Sequence, residues 1–154
     1  GGVLEYISNK RVDTFGEWDY LSHQVVASPF KPIDYMDKMD IFGYKYIPGF
    51  NTISKYLVIE IKKDIAELEH LNQIMKYVDW VNQEYSFGDY NMIEAYLVAY
   101  DFTDELIQHK NKIAVRNYVK GTRPATSMEW NNLLLIKYHF NSSSNKLTFT
   151  KIRN

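Results

Sequence analysis

Tyr56-Leu57-Val58-Ile59-Glu60-Ile61-Lys62 is the stretch whose reading decides the fold. Its β-branched and large apolar residues, with no Gly or Pro among them, predict a strand. Side chains alternate across a strand, so Leu57, Ile59 and Ile61 share one face and Val58, Glu60 and Lys62 the other. The first face is wholly apolar. The second begins apolar and then presents an acid and a base two residues apart.

Upstream, Met39 to Ile47 (MDIFGYKYI) has the same β-rich composition and ends at Pro48-Gly49, a turn signal. The two strands are joined by a short Pro/Gly/Asn/Ser segment and predict an antiparallel hairpin. Leu21 to Ala27 reads as a further strand, broken by Ser28-Pro29 and Pro32, and Val3 to Lys10 as the end of a helix. Downstream, Ile65, Leu68, Leu71, Met75, Val78 and Val81 follow helical spacing, which predicts a long amphipathic helix from Asp64 to Tyr85. Ser86-Phe87-Gly88-Asp89 closes it. Ile93 to Tyr100 (IEAYLVAY) has the nearly continuous apolar centre of a buried strand. Thr103 caps a helix running to about Lys112, and Ile113 to Val119 reads as a strand. Leu133 to Phe140 and Lys146 to Ile152 form a C-terminal hairpin across Asn141-Ser142-Ser143-Ser144-Asn145. Strands and helices in this order predict a mixed α/β sheet flanked by helices.

The chain has 154 residues, 45% of them hydrophobic, enough for one domain with a substantial core. Residues 1–154 are therefore read as a single domain, with the core motif over about 38–101. The absence of Cys removes disulfide frameworks, thiolate nucleophiles and Cys-based zinc sites. His23, His70, His109 and His139 lack metal-ligand spacing, and no phosphate-binding Gly loop or nucleophile elbow occurs. No stretch approaches the roughly 20 apolar residues of a membrane helix. The opening Gly1-Gly2-Val3-Leu4-Glu5 lacks the basic and apolar regions of a secretion signal, so a cytoplasmic protein with no membrane partner is expected. The chain is also compatible with a domain cut from something larger.

Basic residues number 18 and acidic residues 19, which excludes a uniformly cationic nucleic-acid binder. That balance conceals a polarity. Residues 110–154 carry nine basic residues against one acid, a net of +8, whereas residues 1–109 hold nine against eighteen, a net of −9. A basic last third folded beside an acidic site is suited to docking a phosphate backbone. Trp18, Trp80 and Trp130 are read first as core, with base stacking as the alternative.

Glu-x-Lys alone is expected by chance in a chain of this length; its surroundings give it meaning. If the hairpin pairs as drawn, Asp40 approaches Glu60 from the neighbouring strand. Two carboxylates at a strand end suit Mg²⁺, which takes one or two carboxylates and keeps several waters. Lys62 places a positive charge beside them, able to orient water and stabilise charge developing on phosphate. Gln73 and Tyr77, spaced i and i+4, share one helix face.

An acid, a strand with Glu-x-Lys and a helix with Gln-x-x-x-Tyr resemble the PD-(D/E)xK nuclease superfamily, nearest to the NucS/EndoMS-like endonuclease domain. The likeness runs from Lys38 to Asp101 and rests on Met39-Asp40-Ile41, on Leu57 to Lys63, on Gln73 to Val81 and on Ala95 to Tyr100. It implies a restriction-endonuclease-like sheet and a metal-dependent endodeoxyribonuclease using Mg²⁺ or Mn²⁺, in DNA repair or in restriction and antiviral defence. By resemblance Asp40 and Glu60 are metal ligands with the Ile61 carbonyl a third, and Lys62 is the catalytic lysine. Gln73 contacts the site or the substrate backbone, supported by Tyr77. DNA contacts are expected from Lys63 and Tyr77, and from Lys110, Lys112, Arg116, Lys120 and Arg123 in the basic region. Asp34 and Asp37 are rivals to Asp40, and Glu5 or Glu17 could supply an upstream acid. A nuclease-fold binding or assembly module without turnover, and a ribonuclease, are the alternatives. A homodimer or further domains of a larger chain remain compatible with the pattern.

Overall fold

In a computed structural model, residues 14–26, 38–144 and 146–152 are described. The helix end at Val3 to Lys10 and the candidates Glu5, Asp34 and Asp37 lie outside them. Among the described residues eight strands and two α-helices follow one another as β1 (Tyr20–Val26), β2 (Lys38–Tyr46), β3 (Ile53–Ala66), α1 (Leu68–Val81), β4 (Ile93–Phe102), α2 (Asp104–Ile113), β5 (Arg116–Lys120), β6 (Thr126–Trp130), β7 (Leu133–Asn141) and β8 (Lys146–Lys151). Six strands form one mixed sheet in the order β1-β2-β3-β4-β7-β8. β3, β4 and β7 are parallel, and both sides of this trio continue antiparallel. The two hairpins that the sequence predicts are therefore present, and Ile93–Phe102 is the buried central strand.

The alternation along β3 sorts the core into two layers. Val58 packs with Ala95, Leu97, Ala99 and the α1 residues Leu71, Ile74, Met75 and Val78. Leu57 and Ile59 pack on the opposite face with Tyr96, Val98, Ile136, Phe15 and Trp18. A parallel pair needs a crossover, and β3-α1-β4 supplies it, so α1 runs back across the Val58 face. Ala95 and Ala99 leave room for the helix there.

Two expectations are corrected. The helix starts at Leu68, not at Asp64: β3 bulges after Lys62 and continues, pairing Ile65 with Asp101 and Ala66 with Phe102. Ile65 mimics a helical position in the sequence but is 51% exposed on the strand. The helix begins where the Glu67 N–H donates to His70 Nδ1 at 2.8 Å. It passes through a π turn at Asn82–Ser86 and stops where Phe87 and Gly88 take left-handed φ values of 50° and 96°. Ile113 closes α2 instead of opening a strand. The next strand, β5, pairs with the unanticipated β6 in a separate two-stranded sheet. That small sheet is pinned to the start of β4, where the Trp130 indole N–H donates to the Ile93 carbonyl at 2.9 Å.

Candidate active site

From Lys45 opposite Lys55, β2 and β3 pair residue for residue down to Ile41 opposite Ile59, where the regular ladder ends. The next facing residues are Asp40 and Glu60, and here side chains replace backbone partners. The Asp40 N–H donates to Glu60 Oε1 at 3.0 Å, and the Ile61 N–H donates to Asp40 Oδ2 at 2.7 Å. Hydrogen bonds of this kind, from backbone N–H to carboxylate, are short and hold the oxygens in place. Glu60 is 8% exposed, one of two polar residues buried among the described ones. Burial of a carboxylate is costly unless it is bonded in this way.

In an extended strand the N–H and C=O of one residue leave the same edge. The Ile61 N–H faces β2, so its carbonyl does too, on the side where Asp40 and Glu60 meet. Two carboxylates and one carbonyl thus converge from adjacent strands. No group of three or more His, Asp or Glu side chains forms a metal cage among the described residues. The donor set still fits a hard divalent cation that retains part of its water shell.

Lys62 lies on the face of Glu60, half-buried, and makes no hydrogen bond or ion pair with any described residue. It is close enough to His70 in the first turn of α1 to act on its titration. Burial first, and then the Lys62 charge, hold the His70 imidazole below its ordinary pKa, against an opposing pull from Glu69 and Glu67. With Nδ1 accepting the Glu67 N–H, the neutral ring carries its proton on Nε2. His70 was not identifiable from spacing; the only sequence signal is its place three residues after Glu67, where a helix start follows the motif strand.

Gln73 donates from Nε2 to the Tyr77 hydroxyl at 2.9 Å. Because α1 runs back from the carboxyl end of β3, Gln73 is nearer the Lys62 end than Tyr77 is. Tyr77 itself is 2% exposed in the core, so it is placed as an anchor for Gln73 and not as a DNA contact.

The basic region is distributed differently from the sequence expectation. Arg116 forms a two-pronged pair with Asp79, Nε to Oδ1 at 2.8 Å and Nη2 to Oδ2 at 2.9 Å, and Nη1 donates to the carbonyls of Ile113 and Val115. The carboxylate raises the Arg116 pKa further, and the guanidinium fork is occupied. Lys120 pairs with Asp89 at 3.4 Å. Both belong to the small sheet at the amino end of β4, whereas Glu60 pairs four residues further along that strand, about 13 Å away at strand rise. Lys110 is half-buried, and desolvation lowers its pKa. Lys112 and Arg123 are exposed, as are Lys63 and Glu17. Of the nine basic residues of 110–154, Arg116, Lys120 and Lys137 pair with acids of the first 109 residues.

The architecture is a mixed α/β sheet with a crossover helix, carrying an acid pair on β2 and β3 and a lysine on β3. No protein-family profile and no curated protein matches the chain. Among solved structures, a repair endonuclease from Pyrococcus abyssi is similar over 72% of this chain and 41% of its own, with 23% identity and a TM-score of 0.47. EndoMS in its apo form is similar over 73% of this chain and 41% of its own, with 18% identity and a TM-score of 0.47. An EndoMS complex with double-stranded DNA covers 73% and 39%, with 18% identity and a TM-score of 0.45. The chain spans about two fifths of the length of these proteins. Among the described residues no helix is long and apolar enough to cross a membrane.

Proposed function

We propose that this chain is the nuclease domain of a metal-dependent endonuclease that hydrolyses DNA phosphodiester bonds, in DNA repair or in restriction and host defence. The observation that carries the reading is the reciprocal bonding of Asp40 and Glu60 where the β2–β3 ladder stops, with Lys62 unpaired among the described residues on the same face. Asp40, Glu60 and the Ile61 carbonyl would hold Mg²⁺ or Mn²⁺, which when bound neutralises phosphate charge and acidifies water. The Lys62 ammonium holds the attacking water near the phosphorus and stabilises the negative charge that grows on the phosphoryl oxygens. Neutral His70 leaves that ammonium without a competing positive neighbour, and Gln73, fixed by Tyr77, offers its amide to the substrate backbone.

A cleavage assay on single-stranded, duplex and branched DNA, and on RNA of the same sequence, tests this with Mg²⁺ or Mn²⁺ added. Cleavage by the wild-type chain and none by Glu60→Gln is the expected result. Equal cleavage by both overturns it, and DNA binding without cleavage would favour a binding module.

A further inference from the structure

Residues paired across a sheet project to the same face. Lys62 pairs with Ala99, Ala99 with Lys137, and Lys137 with Thr150, so one row runs from the proposed catalytic lysine across β4 and β7 to β8. Strand spacing puts Lys137 about 10 Å from Lys62, with only the small Ala99 side chain between them. At this end of the row lies a cleft of about 340 Å³ lined by Tyr100, Asp101, Lys137, Tyr138, His139 and Thr150.

We propose that this cleft is a subsite for a nucleic-acid backbone phosphate, with Lys137 as its cation and Asp101 as a built-in competitor that the phosphate displaces. Lys137 Nζ lies 3.3 Å from Asp101 Oδ1, with the two side chains 41% and 49% exposed. A half-exposed pair of this sort contributes little stability, so exchanging its acid for a phosphate costs little. Asp101 keeps a partner after the exchange, since its Oδ1 also accepts the Phe102 N–H at 2.8 Å. The Thr150 hydroxyl and the His139 ring line the cleft beside the lysine, both able to donate hydrogen bonds to an anion. A span of about 10 Å is well under one duplex turn of about 34 Å, so the subsite holds the strand close to the bond being cut. The assignment rests on the nuclease reading for its occupant, a nucleic-acid phosphate, and for that last distance.

The experiment measures binding of a fluorescein-labelled 20-base-pair DNA duplex by anisotropy, in EDTA and over a salt series. Lys137→Gln is expected to weaken binding and to make the slope of log K against log salt shallower by about one phosphate. Asp101→Asn is expected to tighten binding severalfold with the slope kept, and Lys120→Gln, at the far end, to change neither. Far-UV circular dichroism confirms that each variant is folded. Wild-type affinity and slope in Lys137→Gln, or weaker binding in Asp101→Asn, overturn the subsite, and so does a wild-type chain that binds no DNA. The nuclease reading fails separately, through absence of cleavage in Mg²⁺ and Mn²⁺, and leaves the binding result standing.

Discussion

Asp40 and Glu60 face each other across β2 and β3, and each carboxylate accepts a backbone N–H from the other's strand, at 3.0 Å from Asp40 and 2.7 Å from Ile61. The acids therefore do two jobs. They close a ladder that would otherwise fray, and they place two carboxylates on facing residues at its mouth.

These jobs separate by mutation. Asp40→Asn keeps an oxygen for the Ile61 N–H but loses the charge. It should retain wild-type thermal stability and lose about 10²-fold or more in DNA cleavage. Asp40→Ala orphans the part-buried N–H and should also lose about 1–3 kcal/mol in urea denaturation. Equal stability of the two variants would show that the carboxylate does not hold the strands.

Lys62 has no described partner to lose, so its truncation should leave stability intact while abolishing cleavage. Lys62→Met separates this from a structural role through a neighbour. The lysine is the second cause, after burial, of the low His70 pKa. The His70 ring resonance in an NMR titration should therefore move to higher pH in the variant. An unmoved titration would mean that the two side chains do not interact.

The alternation of β3 was legible because a strand buried on both faces leaves few ways to place Glu60 and Lys62. Register then brought Asp40 opposite Glu60 with no further information. Ile65 was misread because one apolar residue satisfies a helical period and a strand period equally. β6 was missed because Thr126-Ser127-Met128-Glu129-Trp130 is mostly exposed and has no clean alternation. The sequence also shows charges in order along the chain, not their partners. Nothing in residues 110–154 reveals that Arg116 meets Asp79 on α1, 37 positions earlier.

His70 makes stability depend on pH. The unfolded histidine titrates near 6.5, the folded one lower. Between those values the unfolded chain binds more protons, so this group's contribution is full above about pH 6.5. It declines as pH falls toward the folded-state pKa. Protonation also removes the Nδ1 lone pair that accepts the Glu67 N–H. Urea midpoints from pH 8 to pH 5 should fall less steeply in His70→Gln, whose amide oxygen can take the same bond. Parallel profiles in the two proteins would refute the assignment.

Arg116 should prove structural. Its pair with Asp79 is partly exposed, at 30% and 43%, so Arg116→Gln should cost no more than about 1 kcal/mol. Affinity for duplex DNA and its salt dependence should stay at the wild-type level, because the fork is already filled. A shallower salt slope would return Arg116 to the DNA-contacting set.

Gly43 sets how closely β1 approaches the strand that carries Asp40. It pairs with Leu21, and a Cβ built there would lie 2.6 Å from the Tyr20 carbonyl oxygen and 2.9 Å from Leu21 Cδ2. The oxygen is backbone and cannot swing aside as a side-chain end could. Gly43→Ala must therefore push β1 outward or bend β2, at a cost typical of overpacking, about 1–3 kcal/mol. β1 stacks Tyr20 on Tyr44 with ring centroids 4.7 Å apart, and the displacement would open this contact. Asp40 sits three residues along β2, beyond Ile41 and Phe42, which are anchored in the two core layers. The strain should be absorbed before it reaches the acids. Gly43→Ala is thus expected to lower the melting temperature by several degrees while specific DNA cleavage, measured well below that temperature, stays near wild type. Cleavage lost in proportion to stability would mean that β1 positions the site directly.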